Sequence, residues 1–225
     1  MNRKPGLIAS GIAIIWMLGL LGWASLHLPA GQVPTHWNAH GVPDGFGSHQ
    51  EAVALLAVIP LLELLVTALL AVTPMIEPRR LNLLRSARAY TAIWIGQAVV
   101  MALIYTIVAF SMVDVANPLQ FVPALMIATG GLIALVGNYL SKIRSTFLFG
   151  IRTPWTLSSD RSWNRTHRVG GRLFVALGVL IASSALLPAI APWVVLIGVL
   201  GVIVFLVVYS YREWARDPEK LQIGR

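Results

Sequence analysis

Every one of the 17 Lys and Arg residues lies on the same side of an alternating series of apolar segments. The apolar runs cover residues 7–28, 52–74, 91–112, 121–140, 173–189 and 193–211. Most approach the ~20 residues that a helix needs to cross the hydrocarbon core. The basic residues occupy the N-terminal tail, 75–90, 141–172 and the stretch beyond 211, and none lies in 29–51, 113–120 or 190–192. Short loops rich in Lys and Arg stay on the cytoplasmic side. The alternation therefore predicts an all-α polytopic membrane protein with six transmembrane helices, both termini inside and three connections outside.

Composition supports this class: 57% of the residues are hydrophobic and only 12% are charged, unlike an ordinary soluble domain. The formal net charge is +8, but the basic residues flank apolar helices. Anionic inner-leaflet lipid is the partner this implies, with no direct binding of nucleic acid. The chain has no cysteine, which excludes disulfides. Arg3 and Lys4 precede an apolar run too long for a signal-peptide core, and no small-residue cleavage site follows it, so a retained first helix is expected.

Two connections are long enough to carry chemistry. The outer one, 29–51, is rich in proline and glycine and lacks apolar periodicity, which predicts a series of turns. It holds His36, His40 and His49, with Asn38, Asp44 and Glu51 close by. Imidazole and carboxylate together suggest a zinc site on His36, His40 and His49. Gly41 and Pro43 argue against the helix that would align the first two. Turn capping by the same side chains and recognition of a ligand through Trp37 and Phe46 are the competing readings.

The inner connection, 141–172, contains the Thr153-Pro154 step, which forces Thr153 into an extended conformation. Ser158 or Ser159 then offers a helix cap, with Asp160 in the first turn. A helix from there places Trp163, His167, Gly170 and Phe174 on one face, and Arg161, Arg165, Arg168 and Arg172 on another. The pattern predicts an amphipathic segment at the cytoplasmic interface that runs into the fifth span, with its arginines on phosphate headgroups. Glu63 is the one acidic residue deep in a span, where a carboxyl costs a few kcal/mol unless paired. Gln97 and Asn138 are its candidate partners in other spans.

The outer run Pro34-Thr-His-Trp-Asn38 with Gly41-Val-Pro-Asp44 resembles the N-terminal domain DUF1648. The inner run Gly150-Ile-Arg-Thr-Pro-Trp-Thr-Leu157, followed by Trp163 and Thr166-His-Arg168, resembles the SdpI family. The resemblance divides the chain into a DUF1648-like region at 1–90, with two helices and the His-rich loop, and an SdpI-like region at 91–225, with four helices and the basic loop 141–172. It implies an immunity protein of the bacterial plasma membrane, protecting against a secreted antimicrobial peptide toxin. A signalling role, in which a cytoplasmic transcriptional repressor is drawn to the membrane, is implied as well. Ligand contacts would then fall to His36, Trp37, Asn38 and Asp44 outside and to Arg152, Thr153, Pro154, Trp155, Trp163 and His167 inside; Glu63 joins them as a candidate ligand contact from its position within a span. The resemblance favours a binding protein over an enzyme. The alternative is a metal-dependent membrane hydrolase with His36, His40 and Asp44 or His49 as ligands and Glu51 or Glu63 as base. A third reading is a transporter with Glu63 as proton relay.

Overall fold

The computed structural model describes residues 1–38, 40–114 and 121–220. Helix α1 (Lys4–His27) leads into strands β1 (Val33–Trp37) and β2 (Pro43–Gly47), followed by α2 (His49–Ile76) and a short α3 (Arg80–Arg85). Then come α4 (Ala87–Val113), α5 (Phe121–Leu140), the single turn α6 (Pro154–Leu157), α7 (Asp160–Ser183) and α8 (Ala191–Ala215). Six of these helices are long and apolar enough to cross a membrane, matching the six predicted spans.

Small residues on α1 set its packing against α4. Gly6, Ser10, Ala13, Met17 and Ala24 are its buried residues, and they recur at the three- and four-residue spacing of one helix face. Trp94 on α4 fills the space that Gly6 leaves, and its Nε1 donates to Ser10 Oγ at 2.9 Å. Helix α2 starts at a capping box: Ser48 Oγ accepts from the Glu51 amide, and Glu51 Oε2 accepts from the Ser48 amide at 2.7 Å. It buries Ala52, Leu56, Pro60, Glu63 and Thr67 along a single stripe, while Leu55, Leu61, Leu62, Leu64, Leu65 and Leu69 face outward as a lipid-exposed surface requires.

Helices α5 and α7 form the most extensive helix pair, and their backbones touch. A Cβ added at Gly178 would lie 2.5 Å from Gly130 O and Ala134 N. One added at Gly137 would lie 2.6 Å from Val175 N, and one at Gly171 2.8 Å from Gly137 O. In a bilayer, where helix association gains nothing from exclusion of water, such small-residue seams let dispersion contacts do the work. Helix α4 packs against both α1 and α5 and so joins the two regions proposed from sequence.

One expectation changes. The outer loop forms an antiparallel hairpin rather than a plain series of turns, with Val33 opposite Gly47 and Trp37 opposite Pro43. A two-stranded ribbon has only edges, so Pro34 and Pro43 cost it no central hydrogen bond. The basic amphipathic segment runs into the fifth span, as its pattern predicts. It is the first half of α7, which runs unbroken from Asp160 to Ser183, starting well before the expected fifth span.

The α5–α7 contact makes a sharp test. Gly178→Val should lower the thermal midpoint of the detergent-purified protein by several degrees, because overpacking a close contact costs roughly 1–3 kcal/mol. Gly131→Ala, whose added Cβ would meet nothing within 4 Å, should leave the midpoint unchanged. Equal midpoints for both variants would show that the seam is loose.

Candidate functional site: an outer hairpin and a cytoplasmic cap

At the outer tip, Asn38 organises the hairpin turn. Its side-chain oxygen accepts from the amides of His40 and Val42 at 2.9 and 3.1 Å, and Gly41 takes φ +77°. His36 Nδ1 and Asp44 Oδ1 lie 2.5 Å apart across the strands, both exposed. Trp37 packs against the α1–α2–α4 core and Val33 is fully buried in it. All four outer residues singled out by the resemblance thus brace the hairpin itself: Asn38 closes the turn, His36 and Asp44 pair, and Trp37 anchors it. Phe46 is the large exposed side chain, at 52%. Beside it lies a cavity of about 430 Å³ between the hairpin and the first turns of α2, lined by Thr35, Phe46, Glu51, Leu55 and Val58.

His40 is exposed in the turn and His49 is exposed at the first position of α2. Among the described residues, no group of three His, Cys, Asp or Glu side chains is placed to hold a metal ion. The donors suggested for zinc, His36, His40 and His49, are not brought together, because the hairpin directs His36 to Asp44.

Glu63 is fully buried. Gln97 Nε2 donates to its Oε2 at 2.6 Å and Thr67 Oγ1 to its Oε1 at 3.3 Å. Gln97 is thus the partner anticipated from sequence, whereas Asn138 is exposed on α5. Glu63 follows His49 by 14 residues on α2, about 21 Å along the axis at 1.5 Å per residue. As a base for chemistry at the hairpin it is out of reach.

On the cytoplasmic side, the connections 77–86 and 141–159 interlock. Glu77, which sequence reasoning passed over, is buried and accepts three backbone amides: Arg79 at 2.9 Å, Phe147 at 2.8 Å and Leu148 at 2.7 Å. The Arg79 guanidinium donates to Ser145 Oγ and to Leu157 O, the latter at 2.7 Å. Asn82 Nδ2 donates to Ser145 O at 2.8 Å. Ser86 Oγ accepts from the Arg144 amide at 2.8 Å.

The inner motif completes this cap. Thr153 caps the turn α6 in a reciprocal pair with Thr156, and Pro154 fits the first helical position because its missing amide would have had no partner there. Thr153 Oγ1 also reaches Ser210 Oγ on α8 at 3.1 Å, and Trp155 meets the edge of Tyr211. Arg152 is exposed and donates to Phe147 O at 3.3 Å. Trp163 and His167 are buried and stacked, with ring centroids 4.0 Å apart. Trp163 Nε1 donates to Ile143 O at 2.9 Å. The Ile151 amide donates to His167 Nε2, and His167 Nδ1 lies 2.9 Å from Trp163 O. One ring nitrogen accepts while the other faces a carbonyl, which is the pattern of a neutral imidazole protonated on Nδ1. Gly150 takes φ +120° against this pair, and a Cβ there would lie 2.6 Å from His167 Nε2.

The four arginines of α7 divide. Arg161 and Arg165 reach the buried Glu213 of α8 at 3.3 and 3.4 Å, so they are not the free headgroup ligands expected from sequence. Arg168 and Arg172 remain exposed. Ser159, the cap of α7, donates its hydroxyl to Asp217. That hydrogen bond, helped by the charges of Arg161 and Lys220, holds the Asp217 carboxyl below the usual carboxylate range. An open cleft of about 480 Å³ lies beside these groups, lined by Arg79, Asn82, Ser158, Asp160, Asp217 and Glu219.

Six spans, a braced outer hairpin and an interlocked basic cap define a multi-pass membrane protein. Residues 142–211 match the model of the SdpI/YfhL protein family, and residues 11–61 match that of DUF1648, a domain of unknown function. The chain thus carries an SdpI-family region and an N-terminal DUF1648 region, as the sequence resemblance implied, and the bacterial plasma membrane is the usual location of such proteins. Neither a curated protein nor a solved structure matches the chain.

Two outcomes follow for the cap. Glu77→Gln replaces one accepting oxygen with an amide NH₂ opposed to a backbone N–H. It should destabilise the cap by about 2 kcal/mol and expose 144–152 to limited proteolysis; a wild-type cleavage pattern would remove Glu77 from the clamp. The Asp217 anchor has a depressed folded pKa, so its contribution is complete above the ordinary carboxylate value of about 3.9. It is lost as pH falls through the lower folded value. Amide exchange at residues 216–220 should stay slow through pH 5 and accelerate only in stronger acid. In Ser159→Ala the acceleration should move to higher pH.

Proposed function

We propose that this protein confers immunity against a secreted, cationic, amphipathic antimicrobial peptide by binding it at the outer membrane surface, without covalent chemistry. The observation that carries the reading is the composition of the outer groove. Exposed Phe46, Leu55 and Val58 line it together with the Glu51 carboxylate. The outer connections hold Asp44, Glu51 and Asp114 and no Lys or Arg. An acidic, apolar groove at the membrane boundary complements the two faces of an amphipathic basic helix. The braced hairpin supports this use, since a preorganised surface loses little entropy on binding. His36, Trp37, Asn38 and Asp44 then act by holding the hairpin in shape.

Sequestration of a cytoplasmic repressor belongs to the same proposal. The cleft beside Ser159 and Asp217 supports it: it opens on the cytoplasmic side and carries both signs of charge. The arginine, threonine, proline and tryptophan of 152–155, with Trp163 and His167, would serve as the frame of that surface.

The test is survival of a sensitive bacterium expressing the protein and challenged with secreted antimicrobial peptides of basic, amphipathic composition. Phe46→Ser combined with Glu51→Gln removes the apolar contact and the charge while Gln preserves the capping geometry of α2. Protection should fall roughly tenfold or more, as for loss of a central contact, at unchanged membrane levels. Full protection by the double variant would remove the groove from the mechanism. No protection by the wild type against any such peptide would overturn the immunity reading.

A further inference from the structure

The cations of the cytoplasmic face differ in what they already hold. Arg79 is committed to Ser145 and Leu157, Arg152 to Phe147, and Arg161 and Arg165 to Glu213. Arg85, the last residue of α3, and Arg88, in the first turn of α4, make no hydrogen bond or ion pair among the described residues. Both are exposed and both line a cavity of about 620 Å³. Lys142, two residues past α5, lines the same cavity, and its ammonium sits over the Tyr139 ring at 4.7 Å from the centroid. No acidic residue lines it. Three positive charges therefore converge on one concavity with nothing to neutralise them, at a cost in mutual repulsion that an anion would relieve.

The geometry narrows the anion. Two guanidinium forks and one ammonium suit the several oxygens of a phosphate better than a single carboxylate. The cavity lies where the inner ends of α4 and α5 meet, at the membrane boundary set by the charge pattern. Its remaining walls include Leu84 and the Tyr139 ring, which offer an apolar flank to whatever carries the phosphate. Ser86 contributes no competing cap to α4, because its hydroxyl is bonded to Asn82 O and the Arg144 amide.

We propose that this cavity binds the phosphate of an anionic glycerophospholipid, with Arg85 and Arg88 as forked donors and Lys142 as the third charge. Bound there, the lipid ties the α3–α4 corner to the end of α5. That corner is where the DUF1648-like and SdpI-like regions expected from sequence adjoin along the chain. The site stands apart from the outer groove and does not depend on the immunity reading.

Native mass spectrometry of the detergent-purified protein tests it, with phosphatidylglycerol, phosphatidylcholine and inorganic phosphate offered in turn. The wild type should retain one phosphatidylglycerol in preference to phosphatidylcholine. Arg85→Ala with Arg88→Ala should reduce retention at least roughly tenfold, in line with the loss of two basic contacts to anionic lipid. Arg85→Lys with Arg88→Lys should keep part of it, which separates loss of binding from loss of fold. Arg168→Ala with Arg172→Ala removes the same charge from the exposed face of α7 and should leave retention intact. Inorganic phosphate that binds and displaces the lipid would keep the anion site and assign it to a soluble ligand. Equal loss in the two alanine pairs, or equal retention of phosphatidylcholine, would overturn the proposal.

Discussion

Direct contact between the backbones of α5 and α7 fixes much of what lies on the cytoplasmic side. With glycine at 130, 137, 171 and 178 the two helices approach until main-chain atoms touch, and the first turns of α7 are held against the end of α5. Trp163 is thereby brought onto Ile143 O and His167 onto the Ile151 amide. A bilayer gives no hydrophobic gain for bringing two apolar helices together, so the contact relies on dispersion at close range. Such a contact falls off steeply with separation, which makes it a setter of position as much as of stability.

The two buried carboxylates solve the same problem by different means. Glu63 sits among helices whose own amides are already used, so it takes side-chain donors, Gln97 and Thr67. Glu77 sits just past the end of α2, where the chain has left helical structure, and it collects amides of the 145–150 loop that would otherwise lack acceptors. The first joins α2 to α4 within the membrane; the second joins two cytoplasmic connections. Removing either would leave buried donors unsatisfied, and that penalty exceeds the modest net value of a hydrogen bond.

How much of this was legible in the sequence depends on the range of the interaction. The spans were legible because hydropathy and Lys/Arg placement are local or additive: 52–74 became His49–Ile76 and 91–112 became Ala87–Val113. The Ser159 cap and the Trp163–His167 face were legible for the same reason, being set by spacing within one helix. Glu77 was not, since a carboxylate in a basic loop reads as solvated until the 145–150 loop folds over it. The pairing of Arg161 and Arg165 was not, because Glu213 lies far along the chain. The outer hairpin was missed because its prolines and glycines, which signal turns, are also tolerated in a ribbon that has only edges.

One charge pattern has two consequences that are usually treated separately. Confining all Lys and Arg to one side orients the helices, and it also strips the other side of every cation, leaving Asp44, Glu51 and Asp114 to set its field. The outer face is thus acidic by the same constraint that makes the inner face basic. On the proposed readings, a cationic peptide approaching from outside would meet attraction at the hairpin, and phosphate on the inner leaflet would meet Arg85, Arg88 and Lys142. Because the two faces carry opposite fields, charge substitutions should act on one ligand at a time. The neutral, close-packed seam between α5 and α7 stands apart from both fields and supplies geometry alone.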